Sequence, residues 1–182
     1  SEAEAMAEHG ITDILIANEL AGHIKLDRMM RLARHTKLTC CVDSELVAGP
    51  LSRAAREAGV RLDVLIDVDL GLGRTGVTPE SAVDLGRKVA GMPNLRIAGV
   101  FAYSGNPGSD ANLDEQHAWG RTEGERAVAV AEELRLAGMP CDVVSVAGTP
   151  SAPHAASVEG VSEVRPGTYV FYDAASARRH VC

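Results

Sequence analysis

Aromatic residues are scarce: two Phe, three Tyr and one Trp make up 3% of the 182 residues, so a core must be assembled mainly from Ala, Val, Leu and Ile. That composition suits packed layers of helix and sheet. Cysteine is nearly as sparse. The four cysteines, at positions 40, 41, 141 and 182, form no C-x-x-C pair and no spacing of a disulfide framework or zinc knuckle, which points to a reducing, cytoplasmic setting. No run approaches the roughly 18 apolar residues of a membrane span, and the acidic opening SEAEAMAEHG lacks the basic and apolar regions of a signal peptide. Positive charge is in deficit too. With 18 Lys and Arg against 25 Asp and Glu, the net charge of -7 argues against a nucleic-acid backbone as partner.

What is present is rhythm. Apolar, β-rich runs occur at 11–17, 38–42, 62–68, 96–102, 142–146 and 169–172, most of them too continuous for a sheet with one wet face. Helical patterns lie between them, at 24–35, 44–58, 79–90 and about 112–137. In the first, Leu26, Met29, Met30 and Ala33 share one stripe while Lys25, Arg28 and Arg34 face water. Thr78 and Pro79 mark a helix start, and Gly59 and Gly138 mark helix ends. This is βαβ alternation, the signature of a parallel sheet covered by helices in a single domain. The Gly- and Pro-rich passages SGNPGSD and AGTPSAP follow strands, so they read as βα loops, and in such folds those loops carry the chemistry.

The stretch GLGRTG satisfies the G-x-G-x-x-G pattern of a dinucleotide-binding turn. Such a turn must open its helix within the glycine run and be followed about 20 residues later by an acid on the next strand. Neither condition holds: Thr78 and Pro79 place the helix beyond Gly76, and NLRIAGVFAY ends without an acid. The stretch offers instead a polar strand end, Asp67 and Asp69, and a glycine-flanked Arg74 free to project over the mouth of a barrel.

Taken together, ITDILIANEL, LIDVDLGLGRTGV, VSVAGTPSAP and VSEVRPGTYVFYD, in this order from about residue 11 to 173, resemble the fold-type III pyridoxal-phosphate enzymes, particularly the D-threonine aldolase and D-serine dehydratase-like group. The resemblance implies a (β/α)8 TIM barrel of the alanine racemase N-terminal type joined to a second, mostly β domain. Since such barrels take about 200 residues or more, residues 1–182 are expected to be a partial barrel. The first strand, with the Schiff-base lysine, would precede Ser1, and the C-terminal β domain would follow Cys182. The Met-less, helix-like start and the uncapped end ASARRHVC fit that expectation. Lys25, Lys37 and Lys88 do not match the family's lysine and read as surface residues, and the 182 residues alone are expected to be inactive.

The resemblance further implies pyridoxal 5'-phosphate as cofactor and, in the full-length enzyme, a divalent metal (Zn or Mn). The metal ligands should lie in the absent domain. His180 and Cys182 have the H-x-C form but come too early in the family's layout to be those ligands. Gly148 and Thr149 match one phosphate-cradling loop and Gly167 and Thr168 the other. Arg74 matches an arginine that approaches the cofactor oxygen or the substrate carboxylate. Tyr103 stands where a hydroxyl could bond the pyridine nitrogen. Arg165, in the R-P-G turn beside the phosphate loop, and Asn18, at the end of DILIAN, complete the cofactor-binding set. A histidine common in the family after the position of Tyr103 is missing, the nearest being His117 in a helical pattern, so aldol cleavage and dehydration both stay open.

The expected activity is cleavage of D-threonine or a related D-3-hydroxy amino acid to glycine and an aldehyde. The alternatives are a D-serine or D-threo-3-hydroxyaspartate dehydratase, a non-catalytic pyridoxal-phosphate carrier, and a sugar or phosphate enzyme of another barrel family. Partners are expected to be a small D-amino acid and, at full length, a second copy or none.

Overall fold

The computed structural model describes residues 1–105, 111–146, 148–171, 174 and 177. Six parallel strands lie side by side in chain order: β1 (Asp13–Ile16), β2 (Lys37–Val42), β3 (Leu62–Asp69), β4 (Leu95–Tyr103), β5 (Val143–Val146) and β6 (Glu163–Val164). The sheet is strongly curled and open, with β1 and β6 at its edges, an unclosed TIM-type barrel. Helix α1 (Glu2–Glu8) precedes β1, and α2 (His23–Ala33), α3 (Glu45–Ala58), α4 (Pro79–Ala90), α5 (Leu113–Leu136) and α6 (Ala152–Ala155) fill the crossovers. No helix among the described residues is long and apolar enough to cross a membrane.

Helix boundaries follow their local chemistry. Pro79 occupies the first turn of α4, where its missing N–H costs nothing. Asn112 and Glu115 exchange side-chain to backbone hydrogen bonds at 3.0 and 2.8 Å to start α5. Gly59, left-handed at φ 67°, ends α3.

Two apolar clusters divide the interior. The larger packs strand residues such as Val42, Val64, Ile66, Val100 and Val144 against Leu26, Leu51, Leu85 and Leu134 of the helices. The smaller joins Cys41, Leu65, Ala98 and Phe101 on the opposite, concave face of the sheet. Between them, strand alternation sends side chains either under the helices or into the lumen. In β4 the alternation is broken once. Val64 pairs with Ile97 but Leu65 pairs with Gly99, so Ala98 is an extra residue, a bulge. Ile97 and Val100 therefore both face the helices, and Phe101 turns into the lumen. At the N-terminal end of the same face Arg96 clasps Asp63, its Nε donating at 2.7 Å.

The sixth strand corrects the sequence reading. The run 169–172 forms no strand over its described residues: Tyr169, Val170 and Phe171 are exposed, and the Phe171 N–H closes a turn on the Thr168 carbonyl at 3.1 Å. The strand lies earlier, at 163–164, where Glu163 and Val164 pair with Ser145 and Val146. Pro166 and Gly167 then redirect the chain, which an apolar count does not register. Helix α6 has Ser151 as its N-cap, with Pro150 just before it.

Candidate active site at the carboxyl ends of the strands

The glycine loop after β3 bends back onto its own strand. Val77 forms a bridge with Val68, its N–H donating to the Asp67 carbonyl at 3.0 Å and its carbonyl accepting from the Asp69 N–H at 2.8 Å. Only glycine fits at 76, where φ is +98° and a Cβ would lie 2.6 Å from the Asp69 nitrogen. The Asp69 carboxylate accepts from the backbone N–H of Gly71 at 2.9 Å and of Gly73 at 3.1 Å. Those donors hold its carboxyl below the usual range. The amides that a dinucleotide phosphate would need are thus taken by the loop's own anion, and α4 starts three residues past Gly76.

Arg74, exposed at the tip of this loop, lies over the Tyr103 ring with its guanidinium carbon 5.4 Å from the centroid. Tyr103 ends β4 on the lumen side of the bulge, and burial pushes its phenol up. The structure therefore brings together two residues 29 positions apart that the sequence had singled out separately.

The two loops expected to cradle a phosphate also meet. The Thr149 hydroxyl accepts from the Thr168 N–H at 2.9 Å and lies 2.9 Å from the Thr168 hydroxyl. These loops follow the neighbouring strands β5 and β6. A Cβ on Gly167 would meet nothing within 4 Å among the described residues, which leave the space beside the threonines open. The two threonine hydroxyls beside this space are groups that can donate to a phosphate dianion.

Arg165 occupies a different place from a surface turn. Its guanidinium stacks 3.7 Å above the Phe101 ring, and it donates to the Ser145 hydroxyl at 2.6 Å and to the Ala102 carbonyl at 2.7 Å. Ser145 in turn bonds the Glu163 carboxylate. Burial lowers the Arg165 pKa, opposed by the charges of Cys41, Glu163, Glu123 and Asp67. A planar cation held by stacking and two bonds presents a fixed positive wall on the concave face. Asn18 stands apart from this group. It is exposed after β1, at the other edge of the sheet, and lines a groove of about 510 Å³ with Leu15, Ile16 and Leu20.

Glu19 and Asp67 were not paired by sequence reading. The Glu19 carboxyl, in the loop after β1, meets that of Asp67 in the last part of β3, and Glu19 Oε1 and Asp67 Oδ2 are buried with no other side-chain or backbone partner among the described residues. Burial, and then the contact with Asp67, pushes Glu19 from 4.5 up to about 7. A raised carboxyl binds its proton more tightly in the folded state, so this group's contribution to stability falls as pH rises from about 4.5 through about 7. Glu19→Gln is expected to flatten that decline. Melting midpoints at pH 5 and pH 8 check it, and equal declines in the two proteins would contradict it.

Lys25, Lys37 and Lys88 are all exposed, with Lys37 paired to Asp13 at 2.7 Å and Lys88 to Glu45 at 2.6 Å. His117 lies in α5 against His154, ring centroids 3.8 Å apart. Cys40, Cys41 and Cys141 are free and buried, and burial raises each thiol. His180 and Cys182 lie outside the described residues. Among the described residues no three of His, Cys, Asp and Glu gather to hold a metal ion.

Comparison with known proteins agrees with this geometry. D-threonine aldolase of Arthrobacter sp. is 35% identical over 174 residues, 95% of this chain and 46% of that protein. D-threo-3-hydroxyaspartate dehydratase of Delftia sp. (strain HT23) is 38% identical over 188 aligned positions, 100% of this chain and 48% of that protein. The crystal structure of D-threonine aldolase from Filomicrobium marinum superposes with a TM-score of 0.92 at 37% identity, covering 98% of this chain and 48% of that one. The chain thus spans about half the length of these relatives. The alanine racemase N-terminal domain family matches residues 1–175. With the parallel curled sheet, the two threonine loops and near-complete alignment in agreement, the chain belongs to the alanine racemase N-terminal domain family.

Proposed function

We propose that the protein carrying this chain binds pyridoxal 5'-phosphate on the concave face and cleaves D-threonine or a related D-3-hydroxy amino acid to glycine and an aldehyde. The meeting of Thr149 with Thr168 beside open space carries this reading, because it supplies a phosphate cradle at adjoining strand ends. When bound, the cofactor supplies an electron sink for the bond broken at Cα. Gly148, Thr149, Gly167 and Thr168 would hold its phosphate. Arg74 would bind the cofactor oxygen or the substrate carboxylate through its planar fork, and Tyr103, beneath that guanidinium, would hold the pyridine nitrogen through its hydroxyl. Arg165 would set the positive potential of the lumen floor, and Asn18 would touch the cofactor from the side of β1.

In this reading the Schiff-base lysine, a β domain and a divalent cation belong to the whole protein outside residues 1–182. Dehydration of D-serine or D-threo-3-hydroxyaspartate is the second reading, favoured by the similarity to the Delftia dehydratase. The whole protein, loaded with pyridoxal phosphate and Mn²⁺ or Zn²⁺, is to be given D-threonine. Glycine with acetaldehyde is the expected outcome. Ammonia with 2-oxobutanoate would replace the aldolase reading by the dehydratase one, and neither product would leave a carrier.

A further inference from the structure

Helix α5 lies outside the sheet, yet it carries a carboxylate that reaches the mouth of the barrel. Glu123, 1% exposed, accepts from the Ser104 N–H at 2.8 Å through Oε1 and from the Ser151 hydroxyl at 3.1 Å through Oε2. Ser104 directly follows Tyr103, at the end of β4. Ser151 caps α6, and its Oγ accepts from the Gly148 N–H at 3.3 Å, so the contact extends into the loop that holds Thr149. One carboxylate therefore spans the loops after β4 and β5.

The helix is shaped to allow it. Glycine at 120 lets α5 approach α6 so closely that a Cβ would lie 2.7 Å from the Ser151 carbonyl oxygen and 2.8 Å from the His154 Cβ. Glycine at 124 does the same against Val158, where the distance is 2.9 Å. Gly120, Glu123 and Gly124 share one face at the i, i+3, i+4 spacing. One turn on, Arg126 donates to the Leu70 carbonyl at 2.7 Å, tying the glycine loop after β3 to the same helix.

We infer that Glu123 is a positioning residue: its carboxylate, bonded to Ser104 N–H and Ser151 Oγ, fixes the phosphate loop at 148–151 relative to Tyr103. It touches neither the cofactor nor the substrate, and acts through Ser151 and Ser104. A buried carboxylate with two donors is stiffer than a neutral hydrogen bond, because charge-assisted bonds are shorter and stronger. Burial raises the Glu123 pKa, while the Ser104 N–H, the Ser151 hydroxyl and the nearby Arg165 act in the other direction and favour the anion.

The inference rests on the proposed cofactor site, and the test separates the two. Pyridoxal-phosphate affinity of the whole apo-protein is measured by quenching of intrinsic fluorescence, together with the ³¹P resonance of the bound phosphate and the apo-protein melting midpoint. Glu123→Gln keeps the shape and one acceptor but loses the charge. It is expected to weaken cofactor binding about tenfold, the scale of one charged hydrogen bond, to shift the ³¹P resonance, and to leave the apo melting midpoint within about 2 °C. Ser151→Ala, a milder change on the other side of the contact, is expected to act in the same direction. Combining the two should cost little more than either alone. Wild-type affinity and resonance in both variants would overturn the inference, as would a lowered melting midpoint with unchanged affinity, which marks a purely structural carboxylate. If the wild-type protein itself binds no pyridoxal phosphate, the cofactor reading falls first.

Discussion

Replacing Arg74 with leucine is expected to lower kcat/KM for D-threonine in the whole protein about ten- to a hundredfold, the equivalent of roughly 1.5–3 kcal/mol for a lost charge-assisted bond. Leucine keeps apolar bulk and removes five N–H donors. The side chain is exposed at a loop tip and stacked on Tyr103, so the apo-protein should melt within about 2 °C of wild type. An activity within twofold of wild type would remove Arg74 from the site. A change in melting alone would make it a loop residue. Arg165→Leu offers a contrast, because that guanidinium is buried and bonded to Ser145 and Ala102, and its loss should lower stability as well as activity.

Gly99→Ala is expected to act on the fold and to do so more severely than any change at the barrel mouth. A Cβ at 99 would sit 1.8 Å from the Val143 carbonyl oxygen and 2.6 Å from its carbonyl carbon, both backbone atoms of the neighbouring strand. No rotamer relieves such a contact; β4 and β5 must move apart, with loss of pairing from Gly99–Val143 to Phe101–Ser145. A cost of about 3 kcal/mol or more corresponds to a melting midpoint lower by about 6–12 °C in a chain of this size. Gly91→Ala is the control, since a Cβ there meets Lys88 O at an ordinary 3.5 Å. Thermal melting of the two variants side by side decides it, and near-equal midpoints would show that the sheet yields at 99.

Five of the six strands and the four long helices were legible in the sequence because each is written in a repeated pattern of apolar positions. Strand β6 was not, since two residues cannot display a period and the neighbouring aromatic run at 169–171 imitates one. The glycine stretch reads as unsuited to a dinucleotide from the position of Pro79, but nothing local announced that Asp69 would take its amides. Arg74 and Tyr103, like Thr149 and Thr168, could be named from motifs while their meeting could not, because it depends on which strands lie side by side. Arg165 could be named from the R-P-G turn beside the phosphate loop, but only the curl of the sheet shows its guanidinium entering the lumen. Glu19 and Glu123 lacked any signal beyond their charge. Each gains its environment from partners 48 and 28 residues away, Asp67 and Ser151.

The extra residue at 98 gives β4 two reading frames. Up to Ile97 the odd positions belong to the helix side; from Phe101 onward they belong to the lumen. The aromatic floor under Arg165 and the tyrosine under Arg74 thus owe their orientation to a count of residues, not to their own chemistry. Deleting Ala98 would remove the bulge and keep Gly99 opposite Leu65 and Phe101 opposite Asp67, whereas straightening the bulge with Ala98 still in the strand would turn Phe101 and Tyr103 beneath the helices and hand the lumen to Val100 and Ala102. Along this strand the bulge therefore decides what the letters mean: a protein could keep each motif letter and still lose the face on which the motif is spelled.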